Sequence, residues 1–296
     1  MLVSIALVGI HGIPQSIEFK GGALMEVEYT DTVPTLEEVR ASIDMLALGS
    51  TVIQPTGEMG YIVKSRDLTE IERQSLVSGL TIGGVHPLEE KAFTSIGPSV
   101  GKELKQKAIL SLILVVICII LFIAYAFRKV SSARGDGKGI EISSWKFGFT
   151  AIVTLAHDII ITTGAFAIFA LTLGAEIDTL FIVALLTVLG VSVNDTIVVF
   201  DRIRENLEIN AKEKESKDFS VIVGESITQT MARSVNTSLT VILVLLALFF
   251  FGPETTKIFA LTMTVGMLVG TFSSIFVASP VLVVWQKRDE KKKLGK

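Results

Sequence analysis

The chain divides into two parts of different polarity. A polar stretch covers residues 11–107, and repeated long apolar runs follow it. A helix needs about 20 apolar residues to cross about 30 Å of hydrocarbon. Five runs are long enough, and they cover residues 108–127, 147–173, 178–200, 231–251 and 258–285. This pattern predicts an α-helical membrane protein that crosses the bilayer several times.

A further apolar run at residues 1–10 is too short to cross the bilayer. No basic leader precedes this run and no clear small-residue cleavage site follows it, so the pattern does not indicate a signal peptide. We interpret the run as the outer half of a first spanning helix whose beginning is missing from the sequence. The predicted fold is therefore a polytopic membrane protein with six transmembrane helices, the first of them incomplete.

The polar stretch contains signals for a small α+β domain inserted after the first helix. Two capping boxes, each a threonine followed by a glutamate three residues later, predict the starts of two helices. Strand-like patterns lie before, between and after these helices. The resulting β-α-β-β-α-β order is the ferredoxin-like pattern, which hosts many functions and identifies none. In chain order the segments are residues 15–30 (a strand interrupted by Gly21-Gly22), 35–46 (helix), 51–54 and 61–64 (hairpin), a second helix that begins at the capping box 69–72, and a last strand near 89–96.

Composition and charge agree with a membrane protein and suggest its orientation. The mean hydropathy is +0.60, and half of the residues are hydrophobic. Basic residues crowd the loop at 128–146 and the tail at 286–296, whereas the alternate short loops hold almost none. By the positive-inside rule, the crowded loop and the basic C-terminal tail face the cytoplasm. The domain at residues 11–107 is then predicted to be extracytoplasmic.

Several kinds of chemistry have no support in the sequence. The single cysteine, Cys118, excludes an intrachain disulfide and a cysteine metal cluster. The three histidines share no metal-ligand spacing, and neither a phosphate-cradling loop nor a Ser-His-Asp arrangement is present. The net charge of −3 gives no reason to expect nucleic acid. We therefore expect no enzymatic activity, no metal and no cofactor.

An acidic residue lies within one of the apolar runs. Asp195, next to Asn194, precedes Arg202 by seven residues, which is about 10 Å along a helix. An ionised Asp in hydrocarbon costs roughly 2.5–3.5 kcal/mol, so an acid in this position usually belongs to an ion or proton pathway. The alternative is that Asp195 lies at the helix end and is wetted by lipid headgroups.

A second acid lies deeper in its run. Asp158 follows His157 near the predicted bilayer centre, and Thr154 and Thr162 flank it at four-residue spacing. Residues four apart share a helix face. The spacing therefore predicts a polar stripe rather than an isolated acid.

A basic residue lies in the fourth long run. Arg233 recurs with three threonines, Thr230, Thr237 and Thr240, at steps of three or four residues, which predicts an arginine on a hydroxyl-lined helix face. Two acids and a base on three helices would suit a proton pathway. A static ion-pair network that fixes helix register is the rival interpretation.

These residues resemble the SecF family, the smaller integral subunits of the SecDF accessory complex of protein export. The resemblance covers nearly the whole chain. It implies one half of a resistance-nodulation-division type protein: one helix, an outer domain and five further helices. The motifs that carry it are Ile17-Glu-Phe-Lys-Gly-Gly22, Ile96-Gly-Pro-Ser-Val-Gly-Lys-Glu-Leu104, Ala156-His-Asp-Ile-Ile160, Val193-Asn-Asp-Thr-Ile-Val198, Asp201-Arg-Ile-Arg-Glu-Asn206 and Ala278-Ser-Pro280.

The resemblance also implies partners and a mechanism. A SecD-like subunit would complete twelve helices in the lipid bilayer of a prokaryotic cytoplasmic (inner) membrane. Protons crossing the pair would move the outer domains, which help to pull exported polypeptides off the SecYEG translocon. Asp195 would be the acid and Arg233 the base of the proton pathway, with Asp158 a neighbour. His157 and Asn194, which stand beside the two acids, are further candidates for this pathway.

The chain departs from the family pattern at two positions. Glu18 stands where relatives often have Asp, and Ala232 stands where they often have His. The second change removes one possible proton carrier. Two other functional classes stay open: a proton-driven small-molecule or lipid exporter of the same superfamily, and a scaffold that only binds a partner. Exporters generally carry both halves in one chain, and a scaffold would not need charged sites within the membrane.

Overall fold

The computed structural model describes residues 1–126, 144–212 and 217–294. The protein is mostly helical and contains one small antiparallel sheet. It forms two compact units. The sheet unit comprises Gln15–Leu110 and Glu176–Thr179, and the helical unit comprises Met1–Pro14, Ser111–Ala175 and Leu180–Lys296.

The elements follow one another without long irregular segments in the described parts of the chain. In chain order they are α1 (Leu2–His11), α2 (Ile17–Lys20), β1 (Gly22–Tyr29), α3 (Leu36–Asp44), β2 (Val52–Thr56), β3 (Gly60–Ser65), α4 (Glu70–Leu80), β4 (Leu88–Ile96), α5 (Pro98–Ala126), α6 (Ser144–Leu173), α7 (Thr179–Lys212), α8 (Phe219–Phe251), α9 (Glu254–Ser273), a π-helical turn (Ser274–Ala278) and α10 (Ser279–Leu294).

The sheet has the strand order β2-β3-β1-β4, and every neighbouring pair is antiparallel. Alternate residues of β1 point to one face of the sheet, as the two-residue period of a strand requires. Met25, Val27 and Tyr29 are thereby fully buried, and they form one core with residues of α3 and α4 such as Val39 and Leu76. One face of the sheet is therefore closed by helices.

Both predicted capping boxes are present. Thr35 and Thr69 each accept a hydrogen bond from the backbone N–H three residues later, and the glutamate at that position bonds back to the threonine N–H. At α4, the Arg66 guanidinium and the Thr69 N–H lower the pKa of Glu72 to about 2. These reciprocal bonds satisfy backbone donors that every helix start leaves unpaired.

The predicted strand at residues 15–30 is wrong in its first half. Ile17–Lys20 forms the short helix α2, and β1 begins only at Gly22. The Ser16 hydroxyl accepts from the Glu18 N–H and starts this turn. Gly21 ends it with φ of 82°, and a Cβ there would lie 2.7 Å from Pro98 Cα, so only glycine fits.

Five helices among the described residues are long and apolar enough to cross a membrane. They span Pro98–Ala126, Trp145–Leu173, Thr179–Lys212, Phe219–Phe251 and Glu254–Asp289. Several extend beyond the predicted apolar runs, because hydropathy marks only the part of a helix that lipid covers. The apolar helix α1 is shorter, and the sixth span stays an expectation.

Glycines bring helices of the helical unit close together. A Cβ on Gly266 of α9 would lie 2.2 Å from Val188 Cγ2 on α7, and a Cβ on Gly270 would lie 3.1 Å from Ser192 Cβ. Small residues at such contacts let two backbones approach. Beyond Ser273 the helix widens into the π-helical turn before Pro280. Proline supplies no backbone N–H, which explains the change of hydrogen-bond pattern there.

Candidate functional site

Asp195 lies on the buried side of α7. Its side chain is 3% exposed, and Ser192 and Thr196 beside it are equally buried. Asn194 is exposed, so the structure places the two neighbouring residues on different sides of the helix. The buried carboxylate is therefore held within the helical unit, and Asn194 is not part of its surroundings.

Two hydroxyls from other helices face Asp195. Ser238 of α8 and Thr271 of α9 lie 2.5 Å apart, and both act on the Asp195 carboxyl. The Oδ2 atom of Asp195 nevertheless has no hydrogen-bond partner in the described chain. A buried carboxylate oxygen without a partner is costly, so this atom calls for a functional explanation.

Arg233 does not pair directly with Asp195. Its charge acts on the carboxyl, but no ion pair joins the two side chains within the described residues. Arg233 is exposed on α8, and so are Thr237 and Thr240. The predicted hydroxyl-lined arginine face is therefore present only in part: Thr237 and Thr240 lie on it and point outward from this chain, whereas Thr230 is buried.

A different hydroxyl stripe of α8 faces inward, and the sequence interpretation missed it. Ser226, Thr230, Ser234 and Ser238 are all buried. They recur at uniform four-residue steps, a signal that the sequence contains. The polar residues around Arg233 recur at steps of three and four residues and overlap this stripe. The prediction therefore placed the hydroxyl-lined face on the neighbouring side of α8.

Asp158 is the centre of a satisfied hydrogen-bond cluster. Its side chain is fully buried. The Ser192 hydroxyl of α7 donates to Oδ2, the Ser273 hydroxyl of α9 donates to the same oxygen at 2.9 Å, and His157 Nδ1 lies 2.9 Å from Oδ1. Asp158 therefore ties three helices together.

The two acids share supporting elements. Ser192 bonds Asp158 and lies three residues before Asp195, so it is one turn away on the same helix. Ser273 bonds Asp158 and lies two residues after Thr271, which acts on Asp195. A displacement of α7 or α9 would therefore change both carboxylates at once.

The threonines flanking Asp158 share its helix face, as predicted, and the structure shows that they are buried. Thr154 donates to the Thr150 carbonyl at 2.9 Å, while the hydroxyl oxygens of Thr150 and Thr162 have no partner in the described chain. The polar stripe on α6 is therefore a line of buried oxygen atoms that extends along the helix from Asp158.

A buried ion pair joins the start of α6 to α10. Lys146 is 7% exposed, donates to Gln286 Oε1 at 2.8 Å and pairs with Asp289 Oδ2 at 2.6 Å. By its sequence position alone, Lys146 is one of the charges of the basic loop at 128–146. Its pairing depends on side chains 140 or more residues away, which no local pattern reveals.

The Asp201–Asn206 motif also has a structural explanation. Arg202 Nε and Asn206 Nδ2 both donate to Gln229 Oε1, at 2.5 and 2.9 Å, and Asn206 also donates to Ser226 Oγ at 2.8 Å. These bonds connect α7 to α8 on the C-terminal side of Asp195. Within the described chain no group of three or more His, Cys, Asp or Glu side chains is arranged to hold a metal ion.

Comparison with known proteins assigns the family. A sequence profile described as "Protein export membrane protein SecD/SecF, C-terminal" matches residues 82–134 and 142–288. The chain is 38% identical to the protein translocase subunit SecF of Thermobaculum terrenum, over 95% of this chain and 87% of the relative. It is 36% identical to SecF of Anaerolinea thermophila, over 97% and 89%.

Solved structures agree with this assignment. A crystal structure of SecDF, a translocon-associated membrane protein from Thermus thermophilus, matches with a TM-score of 0.79 at 31% identity; the match covers 97% of this chain and 36% of that chain. SecDF in a super-membrane-facing form matches with a TM-score of 0.66 at 30% identity, over 99% and 37%. The chain is thus a multi-pass membrane protein with a role in Sec protein export, and it belongs to the SecF family of protein translocase subunits.

Proposed function

We propose that this chain pairs with a SecD-like subunit and uses the proton gradient to promote late steps of protein export. It does so at the SecYEG translocon of a prokaryotic cytoplasmic membrane, without covalent chemistry. Protons are the driving ions, and exported polypeptides are the cargo. The SecF relatives and the SecDF structures support this pairing. No observation favours the exporter or the scaffold over it.

The environment of Asp195 carries the proposal. Its Oδ2 is buried without a partner, while hydroxyls from α8 and α9 and the charge of Arg233 act on the same carboxyl. An ion-pair network that only fixes helix register would pair both oxygens of a buried acid. An acid that must bind and release a proton needs one oxygen that is free to accept it.

Arg233 is the proposed base of the pathway. When Asp195 is ionised, approach of Arg233 stabilises its charge; when Asp195 is protonated, that attraction is lost. The two states then favour different positions of α8 relative to α7. Asp158 and His157 are proposed as neighbours that keep α6, α7 and α9 in register while Asp195 changes charge. Asn194 is proposed to line the opposite side of α7, where a partner chain lies.

The sheet unit is proposed to be the outer domain. Its sequence order of elements and the strand order β2-β3-β1-β4 support a ferredoxin-like classification. The basic loop at 128–146 and the basic tail favour an extracytoplasmic position for this unit and a cytoplasmic C-terminus. Helix α1 is proposed as part of a first spanning helix, which would give six spans.

Asp195→Asn tests the function directly. The amide has the size of the carboxyl but cannot release a proton. We expect normal recovery of the SecD-like partner, unchanged export without a gradient, and complete loss of the extra export that an imposed proton gradient produces in inverted membrane vesicles. Glu254→Gln, which converts an exposed acid at the start of α9 to its amide, is the control and should retain that extra export.

The double variant Asp195→Asn/Arg233→Gln separates a relay from a static pair. If the pair were static, Asp195→Asn alone would leave the Arg233 charge without its partner and destabilise the assembled pair, and removing both charges would restore stability and export together. If the two residues form a relay, we expect the double variant to fold, and we expect its export not to increase when a proton gradient is imposed. Gradient-driven export at the wild-type level in the double variant would show that the relay assignment is wrong.

A further inference from the structure

The loop between α6 and α7 belongs to the sheet unit rather than to the helices that it connects. Residues Glu176–Thr179 cluster with Gln15–Leu110. The Ser16 N–H donates to the Ile177 carbonyl at 2.9 Å, and Gln15 and Ile177 form a parallel β-bridge. The backbone just before α7 is therefore fixed to the segment that begins the sheet unit.

Two carboxylates strengthen this attachment. Glu176 forms an ion pair with Lys64 of β3 at 2.9 Å, and both side chains are partly buried. Glu18 Oε2 accepts a hydrogen bond from the backbone N–H of Thr179 at 2.7 Å. Thr179 is the first residue of α7. The N–H groups of a first helical turn have no partner within the helix, and the positive end of the helix dipole favours an anion there.

The position of Glu18 is itself well determined. It lies in α2, whose start is capped by Ser16 and whose end packs closely on the beginning of α5. A Cβ added at Gly21 would lie 2.7 Å from Pro98 Cα, and one added at Gly101 would lie 2.8 Å from Gly21 N. Helix α2 therefore has little freedom to move within the sheet unit. The Glu18 carboxylate is held in place beside the Thr179 N–H.

We propose that Glu18 is a positioning residue that couples the sheet unit to Asp195. Glu18 holds the first turn of α7, and α7 carries Asp195 in its buried part. A movement of the sheet unit would then pull on α7, and a change of charge at Asp195 would shift the sheet unit in return, since coupling is reciprocal. This inference rests on the proposed proton-driven function. It concerns how that function reaches the outer domain.

The test compares Glu18→Ala with Glu18→Asp and with Glu28→Ala in the full chain assembled with its SecD-like partner. Glu28 is an exposed acid of β1 that pairs with Lys91, and a surface pair of this kind contributes little. Removal of a charge-assisted hydrogen bond should speed amide exchange in a peptide starting at Thr179 by about tenfold. Glu28→Ala should leave that exchange unchanged, and Glu18→Asp should fall between the two.

The functional measurement separates coupling from simple support of the fold. We expect Glu18→Ala to keep export without a gradient and normal recovery of the SecD-like partner, and to lose most of the extra export that a gradient produces. Glu28→Ala should behave as the unmodified chain. Equal loss of export with and without the gradient would indicate a structural role only and would overturn the proposal.

A disulfide can replace the lost contact. In a Cys118→Ser background carrying Glu18→Ala, cysteines at the bridged positions Gln15 and Ile177 join the same two segments. Oxidation should restore gradient-dependent export and reduction should abolish it again. If the oxidised protein still ignores the gradient, attachment of this loop does not provide the coupling.

The coupling can also be measured without an export assay. Carbodiimide modifies the Asp195 carboxyl, and peptide mass spectrometry measures the extent of this modification as a function of pH. The charge of Arg233 on α8 acts on the Asp195 carboxyl, and Asp158 and His157 lie on the neighbouring helix α6. All three residues are unchanged in these variants. Glu18→Ala should move the pH midpoint of modification by about one unit. If export by the unmodified chain does not respond to the gradient, the proposed function is wrong. A shift of the Asp195 pH midpoint in Glu18→Ala would still support coupling between the sheet unit and Asp195. An unmoved midpoint overturns the coupling even if gradient-driven export is normal.

Discussion

The two buried acids of the helical unit differ in how completely their oxygens are bonded. Asp158 has donors from α7 and α9 and a histidine beside it, so both of its oxygens are occupied. Asp195 has one oxygen without any partner in the described chain. A fully bonded carboxylate resists change, whereas a partly bonded one can gain or lose a proton with little rearrangement. The two residues therefore suit different roles despite identical side chains.

Tyr29 offers a residue-scale test outside the membrane part. Burial, and secondarily Tyr61, raise the pKa of Tyr29 to about 12, and its hydroxyl donates to the Leu80 carbonyl at 3.0 Å. The folded state therefore favours the neutral phenol. Its contribution to stability is complete below the ordinary tyrosine pKa of 10.0 and is lost as pH rises from there through about 12. Ultraviolet titration of the phenolate checks this directly.

Tyr29→Phe should lower the free energy of unfolding of the sheet unit by about 1 kcal/mol, because the Leu80 carbonyl loses its donor. It should also remove the ionisation that is delayed to about pH 12. Tyr125→Phe, a change on α5 outside the sheet unit, is the control. A Tyr29 phenol that ionises near pH 10.0 in the folded protein would contradict the buried environment.

At the scale of elements, the packing of α7 against α9 determines where the acids lie. Gly266 and Gly270 of α9 face Val188 and Ser192 of α7. Ser192 in turn bonds Asp158 and lies one turn before Asp195. The small residues thus do more than fill space, because the close approach that they permit brings the hydroxyl of Ser192 to the α6 carboxylate.

Gly266→Ala should disturb this contact strongly. The added Cβ would lie 2.2 Å from Val188 Cγ2, and a β-branched side chain cannot turn away without strain. Overpacking of this kind costs about 1–3 kcal/mol. Thermal unfolding of the purified protein in mild detergent should show the loss.

Gly190→Ala provides the matched control. Gly190 also lies in a helix, α7, but a Cβ there meets nothing within 4 Å. This variant should unfold like the unmodified protein. Val188→Ala, combined with Gly266→Ala, should recover most of the lost stability by removing the opposing methyl groups. Equal stability of the Gly266 and Gly190 variants would show that the contact of α7 with α9 is looser than the structure has it.

At the scale of the whole molecule, features encoded locally were predictable from the sequence and features that depend on distant contacts were not. The capping boxes at Thr35 and Thr69 and the apolar spans follow from neighbouring residues alone. The common helix face of Thr154, Asp158 and Thr162 followed from their four-residue spacing. By contrast, α2 forms where a strand was expected, since Gly21 must fit against Pro98.

Long-range pairing explains the other omissions. Lys146 is buried only because α10 brings Gln286 and Asp289 to it. The attachment of Thr179 to Glu18 joins residues 161 positions apart. The outward direction of Arg233 depends on which hydroxyl stripe of α8 packs inward, and two overlapping stripes were available in the sequence. Which of the two stripes is buried depends on how the helices pack together rather than on the sequence of any one segment.

The outward polar face of α8 leads to the last prediction. Arg233, Thr237 and Thr240 are exposed in this chain, and a helix face of this polarity is unfavourable against lipid. We expect a SecD-like chain to cover it. In a Cys118→Ser background, Thr237→Cys should react with a membrane-permeant maleimide when the chain is expressed alone and should be protected when the partner is present. Leu239→Cys, exposed on another side of α8, is the control and should react in both cases. Undiminished labelling at position 237 in the assembled pair would mean that the partner binds elsewhere and that Arg233 faces lipid or water.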